Sequence, residues 1–219
     1  MTTVYIDADG IWSQPLRGAY PTPRPALFLD RDGVINVEVD YLHRAEDCQL
    51  EDGAGATIRR ANELGIAVVV VTNQSGVGRG YFDWQAFDTV QQELMRQLAK
   101  EGAELDAVYA CPFHEKAEPP FNVADHPARK PAPGMLFRAM ADLNLEASQS
   151  WIVGDKAGDL GAGRNAGLAG GLHVLTGHGK KASEQEKSKA LAREDFEVLQ
   201  ASSIRDAVAL PLFSAAGGV

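Results

Sequence analysis

The chain has 219 residues, 45% hydrophobic and 23% charged, which is enough apolar material for one well-filled α/β domain and shows none of the bias of disorder or fibrous repeats. A net charge of −9 and a pI near 5.0 argue against a nonspecific binder of nucleic-acid backbones, although locally placed cations can still receive a small anion. Two cysteines, Cys48 and Cys111, are too few for a disulfide framework. No stretch approaches the ~20 apolar residues of a membrane span, so a cytoplasmic protein that binds neither nucleic acid nor membrane is expected.

Residues 1–25 carry the turn formers Pro15, Pro21, Pro23 and Pro25 and read as an N-terminal extension, either surface chain or a short edge strand. They include Asp7-Ala8-Asp9-Gly10. Residues 26–219 read as a single domain that opens on Ala26-Leu27-Phe28-Leu29. A strand covered on both faces does not alternate, so this run predicts a central strand of a parallel sheet. It ends in Asp30-Arg31-Asp32-Gly33, a second Asp-x-Asp-Gly, which would lie in the crevice at the strand's carboxyl end.

Residues 37–51 are polar with scattered aromatics and suit a loop or flap over that tip. A helix is expected over 54–64, stopped by Gly65 in the C′ position that favours a left-handed backbone. The β-branched run 66–71 predicts a second buried strand ending in Thr72-Asn73-Gln74-Ser75-Gly76. Phe87, Val90, Leu94 and Leu98 recur at helical spacing behind a capping Asp83, predicting a core-facing helix over 83–99. A third strand covers 106–110, and 111–129 is a long proline-marked loop of the kind that is often functional. A helix through Met135, Met140 and Leu143 follows Arg129-Lys130-Pro131, and the apolar strand before Gly154 delivers Asp155 and Lys156. A short helix over 162–166, a strand over 172–175, a solvated helix over 180–195, a strand over 196–199 and a helix over 204–210 complete the chain. Strand and helix alternate, which implies a Rossmann-like, doubly wound parallel sheet with helices on both faces and no separate cap domain.

Three strands thus end in complementary groups: Asp30 with Asp32, Thr72 with Asn73, and Asp155 with Lys156, while Arg129-Lys130 opens a helix. Converging carboxylates suit a hard divalent cation, and hydroxyl, amide and ammonium groups suit phosphoryl oxygens. The chemistry indicated is that of a phosphate ester with Mg²⁺.

Four ordered motifs carry a resemblance: Phe28-Leu29-Asp30-Arg31-Asp32-Gly33-Val34-Ile35-Asn36, Val70-Val71-Thr72-Asn73-Gln74-Ser75-Gly76, Arg129-Lys130-Pro131-x-Pro133-Gly134-Met135, and Val153-Gly154-Asp155-Lys156-x-x-Asp159. The chain resembles haloacid dehalogenase superfamily phosphatases, in particular the D-glycero-D-manno-heptose 1,7-bisphosphate 7-phosphatases, and histidinol-phosphate phosphatases share much of the pattern. The resemblance implies hydrolysis through an aspartyl-phosphate on Asp30, with Asp32 as general acid and base. It implies magnesium held by Asp30, Asp155 and the main-chain carbonyl of Asp32. Thr72 and Asn73 would bind the phosphoryl oxygens, Lys130 would neutralise transition-state charge, and Arg129 would meet a second phosphate. Lys156 would orient the nucleophile or bind substrate, Asp159 would lend structural support, and Arg31, Glu38, Tyr41, Gln74 and Ser75 would complete the substrate contacts. A monomer acting on a small phosphorylated sugar is expected. The alternatives are a phosphatase for histidinol phosphate or another small phosphomonoester, and a non-enzymatic phosphoryl-receiving or ligand-binding module. Asp32 argues against the latter, because an acid/base two residues from the nucleophile promotes turnover.

Two stretches depart from the family. Its loop commonly binds a structural zinc through Cys-x-His and Cys-x-Cys, whereas this chain reads Cys111-Pro112-Phe113-His114 and then His126-Pro127-Ala128. Only Cys111, His114 and His126 remain as zinc ligands, fewer than the four of a closed structural site. The flap has Glu38-Val39-Asp40-Tyr41 where the family commonly has Asp-His-Gly-Tyr.

Overall fold

The computed structural model describes residues 5–216. A seven-stranded sheet runs through the middle: β1 (Trp12–Pro15), β2 (Ala26–Leu29), β3 (Ala67–Asn73), β4 (Ala107–Cys111), β5 (Trp151–Gly154), β6 (Gly170–Val174) and β7 (Glu197–Ala201). The spatial order is β1-β4-β3-β2-β5-β6-β7, every neighbouring pair parallel except β1 with β4. The chain leaves β2 toward β3 on one side and later returns to β5 on the other. This reversal of strand order opens a crevice at the carboxyl end of β2.

The helices are α1 (Ala54–Glu63), α2 (Ser75–Gly78), α3 (Trp84–Lys100), α4 (Gly134–Leu143), α5 (Ala157–Asn165), α6 (Ala182–Lys189) and α7 (Pro211–Ala216). Two apolar layers hold them to the sheet. One gathers Leu27, Leu29, Val68 and Val70 with Ile58 of α1 and Phe87, Val90 and Leu94 of α3; the other gathers Phe28, Val69, Val71 and Ile152 with Leu136 and Ala139 of α4 and Leu160 of α5. All four residues of β2 are fully buried, as the unalternating run required. Asp83 caps α3 by accepting from the Ala86 N–H at 2.9 Å.

Of the two readings of the N-terminal segment, β1 answers as an edge strand, with Trp12 1% exposed and packed on Tyr5, Trp84 and Phe87. The expected helix over 162–166 begins earlier, at Ala157, because the Asp159 carboxylate accepts from the Lys156 N–H at 2.9 Å and caps the new turn. The solvated helix shortens to α6, the stretch 204–210 is a 3₁₀ helix over Ile204–Ala209, and α2 and α7 add turns that periodicity did not reveal. Among the described residues, no helix is long and apolar enough to cross a membrane.

Candidate active site

The strand tips converge on a pocket of about 260 Å³ lined by Asp30, Asp32, Glu38, Tyr41, Thr72, Asn73, Gln74, Ser75, Lys130, Lys156, Asp159 and His178, among others. A roomier cavity of about 700 Å³ lies at the opposite end of the strands, among Pro23, Leu64, Trp151 and Leu212, and has no comparable convergence of charge.

Asp30 continues β2, its N–H donating to the Val153 carbonyl at 3.0 Å, so its carboxylate is carried on the sheet itself. Lys130 approaches from the start of the α4 segment and spends its ammonium three ways: on Asp30 Oδ1 at 2.9 Å, Asp159 Oδ1 at 2.6 Å and the Val71 carbonyl at 2.7 Å. Burial alone would discharge this lysine, but the Asp159 and Asp30 carboxylates raise its pKa above the ordinary value. Burial raises Asp30 in turn, against the attraction of Lys130. The Asn73 amide clasps Lys130 by both main-chain groups, accepting from its N–H and donating to its carbonyl at 3.1 Å each. Asn73 therefore positions the lysine, a duty beyond the phosphoryl contact expected of it.

Asp155 follows β5 and is fully buried. Its Oδ2 accepts from the His178 N–H at 2.7 Å, while Oδ1 is buried with no hydrogen-bond partner. Burial, then Asp30 and Asp159, push its pKa up to about 8, the condition of a carboxylate awaiting positive charge. Oxygens of Asp30, Asp155 and Asp159 lie within 4.8 Å of one another. Asp159 is already committed through one oxygen to Lys130 and through the other to the Lys156 N–H, so Asp30 and Asp155 are the two carboxylates left for a hard cation. Gly33 and Gly177 make this close packing possible: both have positive φ, and a Cβ on either would fall 2.6 Å or 2.4 Å from Asp155 Oδ2.

Asp32, expected as general acid and base and so in need of a pKa near working pH, is instead ringed by donors. Arg31 donates to it from Nε and Nη2 at 3.2 and 3.0 Å, Asn36 at 3.0 Å and Gln74 at 2.9 Å. Burial works against the charged form, yet the Arg31 guanidinium and these donors hold the carboxyl below its ordinary range rather than above it. Arg31 itself is 1% exposed, lies over the Phe87 ring and does not line the pocket, so it serves Asp32 and not the substrate. Gln74 also donates to Thr72 Oγ1 at 3.0 Å, tying the tips of β2 and β3 together. Lys156 is held protonated by Asp30 and Asp155 against burial, and burial with nearby Asp32 lifts Glu38 to about 7.

Arg129 does not line the pocket either. Its Nη1 donates to the Phe113 carbonyl at 2.8 Å, leaving it on the flank beside His114 and Arg79, whose Nη1 donates to the Tyr41 hydroxyl at 3.2 Å. The three candidate zinc ligands are not brought together: among the described residues, only the aspartates form a cluster of metal-ligating side chains. Phe113 explains this, stacking on the His126 ring at 3.7 Å and edge-on to Phe121 at 5.4 Å. His114 turns to Arg79 at 3.1 Å, and burial pushes the Cys111 thiol up to about 11, away from the thiolate a metal needs. Sequence reasoning missed His178 and Asn36. The Asp-Gly turn signal covered Asn36 only as a neighbour, and nothing in the sequence marked the turn 176–180 as part of the site.

A parallel sheet whose central strand ends in paired aspartates, with a lysine and a further acid from neighbouring tips, defines a phosphatase of the HAD type. The HAD-hydrolase-like family model matches residues 127–202. A D-glycero-beta-D-manno-heptose-1,7-bisphosphate 7-phosphatase of Mesorhizobium japonicum is 48% identical over 170 residues, covering 77% of this chain and 78% of its own. Among solved structures, a HAD-like phosphatase from Mesorhizobium loti superposes with a TM-score of 0.76 at 40% identity, covering 88% of this chain and 99% of its own. The D,D-heptose 1,7-bisphosphate phosphatase from B. bronchiseptica, complexed with magnesium and phosphate, gives 0.71 at 28% identity, with 87% and 99% covered. The chain belongs to the heptose 1,7-bisphosphate 7-phosphatase family of the HAD superfamily.

Proposed function

We propose that this phosphatase removes the 7-phosphate of D-glycero-D-manno-heptose 1,7-bisphosphate, with Mg²⁺ as its cofactor. The observation that carries the reading is Asp30, fixed at the tip of β2 with Lys130 at 2.9 Å and the unpartnered Oδ1 of buried Asp155 close by. Asp30 and Asp155, with the Asp32 carbonyl, would hold the magnesium, which supplies charge neutralisation for the phosphoryl oxygens. The buried unpaired oxygen of Asp155 and its raised pKa fit such a cation.

Asp30 attacks phosphorus, the ester bond breaks, and the departing sugar oxygen takes a proton from Asp32. In the second half, Asp32 takes a proton from water as its oxygen attacks the acyl-phosphate, releasing phosphate and restoring Asp30. Asp32 starts charged and bound to Arg31, so it takes up a proton from solvent when the phosphoryl dianion arrives and adds negative charge beside it. Lys130 neutralises the transferring group, the Thr72 hydroxyl donates to it, and Arg129 with Arg79 offers a cationic flank for the second phosphate. The decisive experiment compares kcat/KM for heptose bisphosphate, histidinol phosphate and fructose bisphosphate with Mg²⁺. A clear preference for the first supports the assignment, and equal rates would remove the substrate while leaving the class.

A further inference from the structure

Beyond the strand tips, one wall of the pocket is built by the turn 176–180 that follows β6. It is pinned to the catalytic loop: Thr176 Oγ1 donates to the Gly33 carbonyl at 2.5 Å and the His178 N–H donates to Asp155 Oδ2 at 2.7 Å. The His178 side chain is free of both duties and lines the pocket, 29% exposed. Lys181 Nζ sits 2.7 Å from its Nδ1, and an ammonium only donates. Nδ1 is therefore the acceptor and the ring proton is on Nε2, which points to Glu38. The Nε2–Oε2 separation is 3.7 Å, too long for a hydrogen bond, and Glu38 Oε2 is buried without a hydrogen-bond partner. Lys156 Nζ stands 4.0 Å from the same oxygen.

We infer that His178 and Glu38 form a donor–acceptor pair that reads a hydroxyl of the substrate beside the scissile phosphate, which makes His178 a specificity-determining residue. The inference rests on the sugar-phosphate reading above. A carboxylate next to an imidazole N–H complements a group that both gives and accepts a hydrogen bond. A hydroxyl does so, donating to the Glu38 carboxylate and accepting from Nε2. A second phosphate is disfavoured here by the Glu38 charge, and an apolar group would leave both atoms unpaired. The class of ligand is a polyol phosphate.

The test uses kcat/KM for the best polyol phosphate, heptose or fructose bisphosphate, divided by kcat/KM for p-nitrophenyl phosphate, which has no hydroxyl. H178A keeps the main-chain N–H on Asp155, so it removes the side chain alone. The ratio should fall by roughly five- to twentyfold in H178A through a rise in KM for the polyol, and H178Q, which retains an N–H donor, should recover part of it. A ratio that stays at the wild-type value, whether both rates fall together or neither does, overturns the inference, and melting curves of both variants establish that they are folded. Preference of the wild-type enzyme for fructose bisphosphate with the ratio effect intact would sink the heptose assignment alone.

Discussion

Two segments of this chain spell Asp-x-Asp-Gly and share a left-handed glycine. Gly10 and Gly33 both adopt a left-handed backbone, with φ of 76° and 82°. In each, the first aspartate accepts a main-chain N–H from within its own turn, Asp7 from Asp9 and Asp30 from Arg31, both at 2.8 Å. Their surroundings differ. Asp7 and Asp9 are spent on one surface arginine, Arg138, with Ser13 as a further donor to Asp7. Asp30 and Asp32 meet groups from β3, β5 and the Lys130 segment, because β2 is central and three other chain segments end beside it. The four-residue pattern therefore sets a turn, while its place in the sheet sets the chemistry.

The sharpest contrast is between D30N and D7N. Loss of the nucleophile should lower kcat on the order of 10³-fold or more, whereas D7N should stay within about twofold of wild type in the same steady-state assay. An inactive D7N would break the comparison.

Next in size is the removal of each segment's cation. K130M leaves Asp30 and Asp159 buried and uncompensated, an expected loss of about 3–5 kcal/mol in urea unfolding. R138M, at a half-exposed site, should lose about 1 kcal/mol or less. Similar losses for the two would mean that the interior pair is not desolvated as described.

A smaller effect separates the catalytic segment by pH. Asp155, with a pKa near 8 in the folded metal-free protein and an ordinary carboxylate value when unfolded, contributes stability that is fully present near pH 4 and lost as pH rises through 8. Glu38, at about 7, adds a trend of the same sign. The melting temperature in EDTA should thus fall between pH 5 and 8.5. Added Mg²⁺ should raise it more at pH 8.5 than at pH 6, since binding requires the deprotonated acid. A metal-induced shift independent of pH would remove Asp155 from the ligands.

The finest test concerns Arg31. Its guanidinium lowers the Asp32 pKa, so R31M should raise that pKa in the substrate complex too and move the alkaline limb of the kcat profile upward by about one pH unit, read from rates at saturating substrate. An unmoved limb would show that another group controls the acid form.

Much of this site was legible because it lies on strands. An unbroken apolar run announces a central strand and fixes which residue stands at its tip, which is why Asp30, Thr72 and Asp155 fell where expected. The misreadings concern residues whose role is set by distant partners. Arg31 lies one position from the nucleophile, but strand alternation turns it under α3 onto Phe87, and no local pattern reveals that ring. Asn73 has a second duty, the clasp on Lys130, that its place at a strand tip did not announce. Asp159 had both a capping and an ion-pair role, and spacing revealed neither exclusively. His178 sits in a turn after a strand far from β2 in sequence, and only the sheet order brings it to Glu38.

The edge strand β1 imposes an order on how the chain can complete itself. Trp12 pairs with Ala110 and Pro15 with Ala107, so β1 lacks its neighbour in the sheet until β4, much later in the chain, has been synthesised. Until then the Trp12 indole lacks Trp84 and Phe87 as well, leaving a large apolar side chain with only Tyr5 against it on the nascent polypeptide. When β4 emerges, the waiting segment closes over its free edge and removes a row of main-chain groups that another molecule could pair with. A segment made early thus protects the edge of a strand made much later.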